Sequence, residues 1–379
     1  MKTSSLLFGA ASGALLLAAA AGANAQSWTD STTIGGRTYM DVSSNELTIN
    51  GVKSGNKNGI GFDVKRVYFQ VDKKFNDLFS AQLQTDVSSI AGVGQSLYIK
   101  KAFIKASFSP AFEVSLGANE MPWIPYAESI YGQRFLENTV LEQNNDGGRG
   151  TFGTSADWGV HVGGKLNDIL SYQVSVVNGN GYRDTTRSKT MDVEGRLSAK
   201  IDQWNFAIGG YTGKRGQSVY GAASILTPAV GSTPAVYQQN LVATPHTAQR
   251  LNLLAAFVGD RLKVGVEGFT ATDWAPAAIK DTAAGHPAGD KADGASAFAS
   301  YRVTPEYMVF ARLDSVKPSK TLAPRNKDDY YNFGIQTSPL KGITLVGVVK
   351  HDRLNAYSSA GALTRTEFTE VGVFTEVRF

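Results

Sequence analysis

Hydrophobic and polar residues alternate along most of the chain. In LFSAQLQTD, the apolar residues Phe79, Ala81 and Leu83 are separated by serine and glutamine. The same period of two recurs in FDVKRVYFQVDKKF, DWGVHVGGKL, LSYQVSVV, DVEGRLSAKI, WNFAIGGY, RLNLLAAFV, RLKVGVEGF, YMVFARLD and YYNFGIQT. A period of two is typical of β-strands, so the pattern predicts an all-β chain whose strands have one apolar and one polar face.

The final segment, TEFTEVGVFTEVRF, continues this alternation to Phe379. Val371, Val373 and Val377 share its apolar face, and only Phe374 breaks the pattern. The segment predicts a last strand that pairs with the first one, around GRTYMDV, with Phe379 toward lipid.

The breaks between these segments alternate between short and long. Short turns are predicted at 76–77, 109–110, 167–168, 202–203, 259–260, 304–305 and 338–342. Long connections are predicted at about 45–59, 87–95, 119–150, 178–190, 214–246, 272–293, 315–327 and 354–364. The strands between them number 16, which is even and places both ends of the sheet on the short-turn side.

Uniform hairpins with one apolar face have two stable arrangements, a sandwich and a closed barrel in a membrane. No second layer or second core is evident in about 350 residues, whereas a closed barrel pairs every backbone group and turns its apolar face to lipid. The pattern therefore predicts an all-β, 16-stranded antiparallel transmembrane β-barrel. A barrel of this size leaves an aqueous lumen.

The N-terminal segment predicts export. Residues 1–25 combine Lys2, a Leu/Ala-rich apolar run and an A-x-A site at Ala23-Asn24-Ala25, which indicates a signal peptide in preference to a membrane anchor. The mature chain would be 26–379, without a transmembrane helix. The chain has no cysteine, which excludes a disulfide framework and thiolate metal sites. An exported barrel belongs in the outer membrane of a Gram-negative bacterium, in contact with its lipid.

Composition and charge narrow the classes of partner. Charged residues make up 18% of the chain, below the roughly 25% of soluble domains. The formal net charge is +4, and no compact Lys/Arg run occurs. Nucleic acid is therefore not an expected partner.

Strand parity assigns charged side chains to the lumen. The basic ones are Arg37, Arg66, Lys101, Lys105, Lys165, Arg196, Lys200, Arg250, Lys263, Arg302, Arg312, Lys350 and Arg378. The acidic ones are Asp41, Asp72, Asp86, Glu113, Asp192, Glu194, Glu267, Asp314, Glu370 and Glu376. This excess of cations predicts at most a mild preference for anions. Pairing across neighbouring strands around a wet lumen is the favoured interpretation of these charges, and a dedicated substrate ladder is the alternative.

Four segments of the N-terminal half together resemble one protein family. They are GFDVKRVYFQVDKKFNDLFSAQLQTD, IKKAFIKASFSPAFEVSLGANEMPW, YGQRFLENTV leading into NDGGRG, and ADWGVHVGGKLNDILSYQVSVVNGNG. Across about 60–182 the chain resembles the phosphate-selective porin O and P family of outer-membrane porins. The resemblance implies a homotrimer of 16-stranded barrels, each with a pore narrowed by its third loop folding into the lumen. It also implies that Phe379 is an assembly signal read by the barrel assembly machinery.

The third connection, 119–150, is the predicted constriction loop. Its candidate residues are Glu120, Trp123, Tyr126, Glu128, Tyr131, Arg134, Phe135, Glu137, Glu142, Asp146 and Arg149. Acidic residues outnumber basic ones, so the loop supplies no evident phosphate trap, which would need clustered cations. We expect the four aromatic residues of that set to pack the loop against the wall, with some acids facing Arg66, Lys101 or Lys105.

The expected function is passive diffusion of small hydrophilic solutes and ions, with phosphate or other anions mildly preferred. A barrel hydrolase is one alternative, and an adhesin or structural barrel is another. Of the histidines, His161 alternates with valines on a strand and is expected on the lumen wall, while His246 and His286 lie in predicted loops. No G-x-S-x-G, H-E-x-x-H or Walker motif occurs, so we expect no enzyme activity, no cofactor and no metal.

Overall fold

A computed structural model describes residues 30–55, 58–90, 94–143, 150–216, 219–227, 236–242, 247–274, 289–358 and 361–379. The predicted signal peptide, His246 and His286 lie outside the described residues. The strands are β1 Thr32–Ile49, β2 Val52–Lys53, β3 Gly59–Lys74, β4 Phe79–Ile90, β5 Gly94–Ser109, β6 Phe112–Glu120, β7 Ala156–Lys165, β8 Leu170–Val177, β9 Asp192–Ile201, β10 Trp204–Gly213, β11 Val219–Thr227, β12 Val236–Val242, β13 Ala248–Val258, β14 Leu262–Thr272, β15 Lys291–Arg302, β16 Tyr307–Lys317, β17 Lys327–Leu340, β18 Ile343–Tyr357 and β19 Leu363–Arg378. A helix, α1, spans Ile124–Tyr131.

Sixteen of these strands form a closed antiparallel barrel, as the alternation of hairpins predicts. Each strand pairs with its neighbours in the chain, and β1 closes the sheet by pairing with β19. Thr38 lies opposite Val377 and Val42 opposite Val373, so the predicted pairing of the first and last strands is confirmed. The short β2 lies in the first long connection, and β11 and β12 form a separate hairpin within 214–246 that the sequence pattern does not predict.

Two of the short turns show why the sequence predicts where strands end. At both turns, an asparagine side-chain oxygen accepts hydrogen bonds from backbone N–H groups in place of a strand partner. Asn76 Oδ1 accepts the backbone N–H groups of Leu78 and Phe79, at 2.9 and 2.7 Å. Asn167 Oδ1 does the same for the residues two and three positions further on, at 2.9 and 2.7 Å. Asparagine is common in turns because its side chain can bond its own backbone in this way.

The barrel has an apolar outer face and a polar inner face. On β19, Val371 and Val373 are exposed on the outer face, while Glu370 and Glu376 are buried on the inner face. Phe374, the one break in the alternation, is fully buried on the inner face, where it belongs to a cluster with Phe135. No helix among the described residues is long and apolar enough to cross a membrane.

Two β-bulges interrupt the register in the first quarter of the barrel. Between β1 and β3, Tyr39 pairs with Arg66 and Met40 with Val64, which leaves Lys65 as an extra residue. Between β4 and β5, an equivalent shift leaves Lys100 extra. A bulge shifts the side-chain alternation by one position, so two adjacent cations face inward at each of these places.

Candidate pore constriction

The connection between β6 and β7 lies against the inner face of the barrel, and its described part, residues 121–143, is called the inner loop below. It begins with α1, which has Pro125 in its first turn, where a missing N–H is tolerated. The helix ends at Gly132, whose φ of 87° lets its N–H reach the carbonyl of Glu128 at 2.9 Å. The loop thus leaves the strand as a helix of about two turns that ends at Gly132.

Trp123 anchors the start of the inner loop. Its indole Nε1 donates to Glu267 of β14 at 2.7 Å, and its backbone N–H donates to Glu194 of β9 at 2.9 Å. The indole packs against β10 at Gly209, where any Cβ would overlap the ring. Trp123 is fully buried. The absence of a side chain at position 209 therefore creates the space that receives the loop.

Four cations of the barrel wall donate hydrogen bonds to main-chain carbonyls of the inner loop. The pairs are Arg196 Nη1 with Pro122 at 3.0 Å, Lys263 Nζ with Tyr131 at 3.1 Å, Lys350 Nζ with Leu136 at 2.6 Å, and Arg312 Nη1 with Asn138 at 2.6 Å. They come from β9, β14, β18 and β16, and we call them the clamp cations. Bonds from charged donors are among the stronger hydrogen bonds in proteins. These four side chains therefore hold the loop by its backbone.

Arg312 is the most enclosed of the clamp cations. It is 1% exposed, its Nε and Nη2 bind the two oxygens of Asp314 at 2.9 and 2.5 Å, and its guanidinium lies 5.0 Å from the ring of Tyr131. Nη2 also donates to Gln143 at 3.2 Å. The forked geometry of arginine suits this combination of a bidentate acid and loop acceptors.

A second ionic group holds the middle of the inner loop together. Arg134 is paired with Glu128 and lies 3.7 Å from Glu142. Burial raises the pKa of Glu128, and the Arg134 charge only partly offsets this effect. Burial also opposes ionisation of Glu142, but the charges of Arg134 and Lys100 outweigh it and lower the pKa of Glu142. Glu128 is therefore the acid of this group that takes up a proton first as pH falls.

The wall formed by β1 and β3–β6 carries Arg37, Arg66, Lys101 and Lys105 of the predicted site residues, and we call it the open wall. Arg66 binds Asp86 at 2.6 Å, Lys101 binds Glu120 at 2.5 Å and Lys105 lies 3.4 Å from Glu113. Arg37 lies 3.9 Å from Glu376. Each of these cations has a carboxylate partner, which reduces its attraction for a passing anion.

Lys100 differs from its neighbours on the open wall. Its ammonium donates to the hydroxyl of Tyr68 at 3.2 Å and lies 4.8 and 5.8 Å from the ring centroids of Tyr68 and Tyr182. No carboxylate of the described residues lies within ion-pair distance of it. Lys65, the other bulge cation, is shared by three acids, Asp41, Asp63 and Glu370, at 3.2–3.4 Å.

Three cavities follow one another between the inner loop and the open wall. One of about 460 Å³ on the long-loop side is lined by Lys65, Arg66 and Lys350, and one of about 420 Å³ on the short-turn side by Lys101, Lys105 and Lys165. The cavity between them has only about 90 Å³. Its charged lining residues are Arg37, Lys100, Lys101, Arg134, Glu120 and Glu128. Cations thus outnumber acids two to one in the smallest of the three.

The other predicted site residues have varied surroundings. Tyr126 lies under the guanidinium of Arg196, with the ring centroid 4.2 Å away, and Phe135 contacts Tyr39. Glu137 lines the large cavity on the long-loop side. Lys200 and Arg302 are exposed at the short-turn ends of β9 and β15, and Arg302 binds the carbonyl of Pro305 at 3.1 Å. Asp146 and Arg149 lie outside the described residues.

Lys65 and Lys100 were missed by parity reasoning, although the sequence contained a signal for both. Each precedes another cation within a strand, as Lys65-Arg66 and Lys100-Lys101. Strict alternation would turn one member of each pair to lipid, where a lysine or arginine costs about 2–4 kcal/mol at mid-membrane. Two adjacent cations in the middle of a membrane strand therefore indicate a bulge that turns both toward water, whereas Lys73-Lys74 lie at the end of β3 and have no bulge between them.

His161 is the best-defined of the four histidines. Its Nδ1 lies 2.8 Å from the hydroxyl of Ser175, and the ring is buried on the inner face of β7. Among the described residues, no group of three or more histidine or carboxylate side chains is arranged to hold a metal ion.

Comparison with solved structures finds porins of the same fold. The anion-selective porin from Comamonas acidovorans aligns with a TM-score of 0.59 and 12% identity, over 92% of this chain and 99% of that one. OmpT of Vibrio cholerae in its trimer form gives 0.57 and 10%, over 92% and 99%. OmpF of Salmonella typhi in complex with daunomycin gives 0.55 and 10%, over 92% and 97%. At these identities the similarity shows the fold alone.

Sequence comparison identifies the family. A search of curated protein sequences finds no match to the chain. The model of the family described as phosphate-selective porin O and P matches residues 33–321, more than half of the chain and most of the barrel. The chain therefore belongs to the phosphate-selective porin O and P family.

Proposed function

We propose that this outer-membrane porin lets small hydrophilic solutes and ions diffuse passively through a constriction between the inner loop and the open wall, with a mild preference for anions. The observation that carries the proposal is the small middle cavity. It is lined by four cations and two acids, and one of the cations, Lys100, donates its hydrogen bond to the hydroxyl of Tyr68 instead of to a carboxylate. Rings of charged side chains at a narrow point are the usual source of ion selectivity.

The preference is mild because most inner-face cations are already engaged. Arg66 and Lys101 have carboxylate partners within 2.6 Å, and two of the clamp cations are paired as well, Arg312 with Asp314 at 2.5 Å and Lys350 with Glu370 at 2.9 Å. A paired cation adds little net potential at the centre of a water-filled pore. The substrate class that fits is therefore small anions in general, including phosphate and carboxylates, alongside neutral polar solutes.

Planar-bilayer recordings with a KCl gradient test this function. We expect stepwise single-channel conductance and a reversal potential displaced toward that of chloride. A second series with phosphate or organic carboxylates in place of chloride should give similar permeabilities. A cation-selective reversal potential would contradict the proposed path, and a strong preference for phosphate over chloride would contradict the argument that paired cations weaken the filter.

The setting proposed for this channel follows from its family. The chain is a protein of the Gram-negative outer membrane, exported by the signal peptide 1–25 and folded by the barrel assembly machinery, with Phe379 as the assembly signal. Phe379 exchanges backbone hydrogen bonds with Gly36 at 2.8 and 3.1 Å, which ties the last residue to β1. Removing Phe379 should lower the amount of inserted protein and leave the conductance per channel unchanged. Equal insertion without it would contradict the assembly role.

A homotrimer is the assembly that we propose. The trimer form of the Vibrio cholerae OmpT, which shares the fold, supports it. A hydrolase or an adhesin barrel remains the alternative class, and each has a simple test. A hydrolase would react with an active-site serine probe, and an adhesin without a pore would give no conductance.

A further inference from the structure

The outer face of the last five strands becomes charged at its long-loop end. Along β17, the outer-face side chains change from apolar to aromatic to charged, in the order Ile335, Phe333, Tyr331, Asp329 and Lys327. The neighbouring strands β15, β16, β18 and β19 each carry one outer-face cation near the same end. These five residues, which we call the outer cations, are Lys291, Lys317, Lys327, Arg353 and Arg365.

The outer cations belong to one continuous patch of the sheet. Lys317 of β16 is opposite Asp293 of β15, and Arg353 of β18 lies between Asp329 of β17 and Glu367 of β19. Neighbouring strands are about 4.8 Å apart, so the patch covers roughly 20 Å of the barrel's outer surface.

This patch is positively charged. The connection between β16 and β17 adds Lys320, which pairs with Asp293, and Arg325, whose guanidinium lies 3.9 Å from the ring centroid of Tyr357. Asp329 is paired with two of the outer cations, at 2.9 and 3.5 Å. With these additions, the described part of the patch holds seven cations against three acids.

The preceding five strands of the barrel lack such a patch. On β8, β9, β10, β13 and β14, the last outer-face residue of each strand before its long connection is uncharged. These residues are Val176, Val193, Thr212, Gln249 and Thr272. Thr272 is opposite Lys291, so the change to charged residues occurs between β14 and β15. The outer cations are therefore a local feature of the barrel rim and not a general one.

The order of residues within single strands places the outer cations at the membrane boundary. Tyr331 is 40% exposed on the outer face, and aromatic rings are typical of the interface between lipid and water. Lys327 lies four residues further along the same strand, about 13 Å beyond Tyr331 at the usual rise per residue. Lys317 follows the exposed Leu313 of β16 at the same separation. Charged side chains follow apolar ones where hydrocarbon gives way to headgroups, since charge is costly within the hydrocarbon.

We propose that the outer cations bind the phosphate groups of a phosphorylated lipid in the outer leaflet of the outer membrane. The long connections of a barrel of this kind lie on the outer side of the membrane, which selects that leaflet. Clustered lysine and arginine next to a membrane attract anionic headgroups, and their long side chains can follow the apolar surface while the charge stays in the headgroup layer.

A lipid fits this patch better than a soluble anion because the same strands supply both kinds of contact. Leu313 and Phe333, on the outer face below the cations, are 62% and 53% exposed. Acyl chains can lie against these side chains while the phosphates contact the outer cations. The site is on the opposite face of the wall from the constriction, so it goes beyond the proposed channel function and does not depend on what the channel conducts.

Lipid titrations followed by native mass spectrometry test this site. The folded porin in detergent is titrated with diphosphoryl lipid A, with the same glycolipid lacking its phosphates, and with phosphatidylcholine. We expect several-fold tighter binding of the diphosphoryl form by the wild-type protein, weakened by added KCl. The triple variant Lys291→Gln, Lys317→Gln and Lys327→Gln should lose most of this preference. Its matched control removes three exposed cations on the short-turn side, by Lys74→Gln, Arg261→Gln and Lys341→Gln, and should bind like wild type.

Three results would overturn the lipid site. Equal binding of the two glycolipids by the wild-type protein, which needs no variant, would show that phosphate is not recognised. Equal losses in the triple variant and its control would show attraction by overall charge alone. Displacement of the lipid by a large excess of inorganic phosphate would assign the cations to a soluble anion. Unchanged single-channel conductance of the triple variant shows that its barrel is intact and keeps this result separate from the channel proposal.

Discussion

The two sides of the barrel's inner face use the same residue types for different purposes. On the open wall, Arg66, Lys101 and their neighbours line cavities and have carboxylate side chains as their partners. Elsewhere on the inner face, the clamp cations donate to backbone carbonyls of the inner loop, although Arg312 and Lys350 also pair with carboxylates. Strand parity places both sets toward the lumen and cannot separate them. Counting inner-face charges therefore overstates the number of cations available to a solute.

Substitutions of clamp cations and of open-wall cations are expected to have different effects on the channel. Loss of a clamp cation should release the loop and enlarge the pore, with selectivity changing only as a consequence. Loss of an open-wall cation should leave the loop in place and change selectivity directly.

The largest effect is expected for Arg312→Met. Removing one partner of a buried ion pair costs about 3–5 kcal/mol, because Asp314 would be left buried and unpaired. The bonds to Asn138 and Gln143 would be lost as well. We expect a larger and noisier single-channel conductance. Arg302→Met is the control, since Arg302 is exposed and binds only a turn carbonyl; if both variants conduct alike, the clamp has no role.

A smaller effect on the same side is expected for Gly209→Ala. The added methyl would overlap the Trp123 indole, and such overpacking costs about 1–3 kcal/mol. The start of the inner loop should shift, seen as altered conductance and increased open-channel noise. Gly195→Ala is the matched control on the adjacent strand, where the nearest atom to the new Cβ is 3.8 Å away. Wild-type recordings from Gly209→Ala would show that this close contact does not position the loop.

The smallest effect concerns pH. Because burial raises the pKa of Glu128, this acid becomes neutral at a higher pH than an exposed glutamate. The middle cavity then loses a negative charge, so anion preference should increase as the solution becomes mildly acidic. Glu128→Gln should show the increased preference at all pH values and lose the step, whereas Glu137→Gln should retain it. A step that persists in Glu128→Gln would assign the titration to another group.

The sequence predicted the barrel better than it predicted the constriction. Alternation and turn residues depend on local geometry, so the 16 strands, their hairpins and the pairing of β1 with β19 follow from them. Contacts of the inner loop depend on which distant strands it meets. The hydrogen bond from Trp123 to Glu267, 144 positions away, has no local sequence signature. Neither does the close contact between the Trp123 indole and Gly209.

Two kinds of exception to the alternation of apolar and polar residues have a structural cause. Phe374 breaks the pattern of β19 because it faces the inner loop's hydrophobic cluster instead of lipid. Lys65 and Lys100 each lie next to another cation, and a bulge turns both members of each pair toward the lumen. In a membrane barrel, a local violation of period two therefore indicates either a contact with the loop or a bulge.

The most direct test of the difference between clamp and open-wall cations compares two substitutions on the inner face. They are Lys100→Gln on the open wall and Lys263→Gln among the clamp cations. Removal of a unit charge about 5 Å from an ion in a water-filled pore changes the local anion concentration roughly twofold to fourfold. Reversal potentials in a KCl gradient should therefore move toward potassium for Lys100→Gln at unchanged conductance. For Lys263→Gln, conductance and noise should change while the reversal potential stays near wild type. Equal shifts of the reversal potential in both variants would contradict the account.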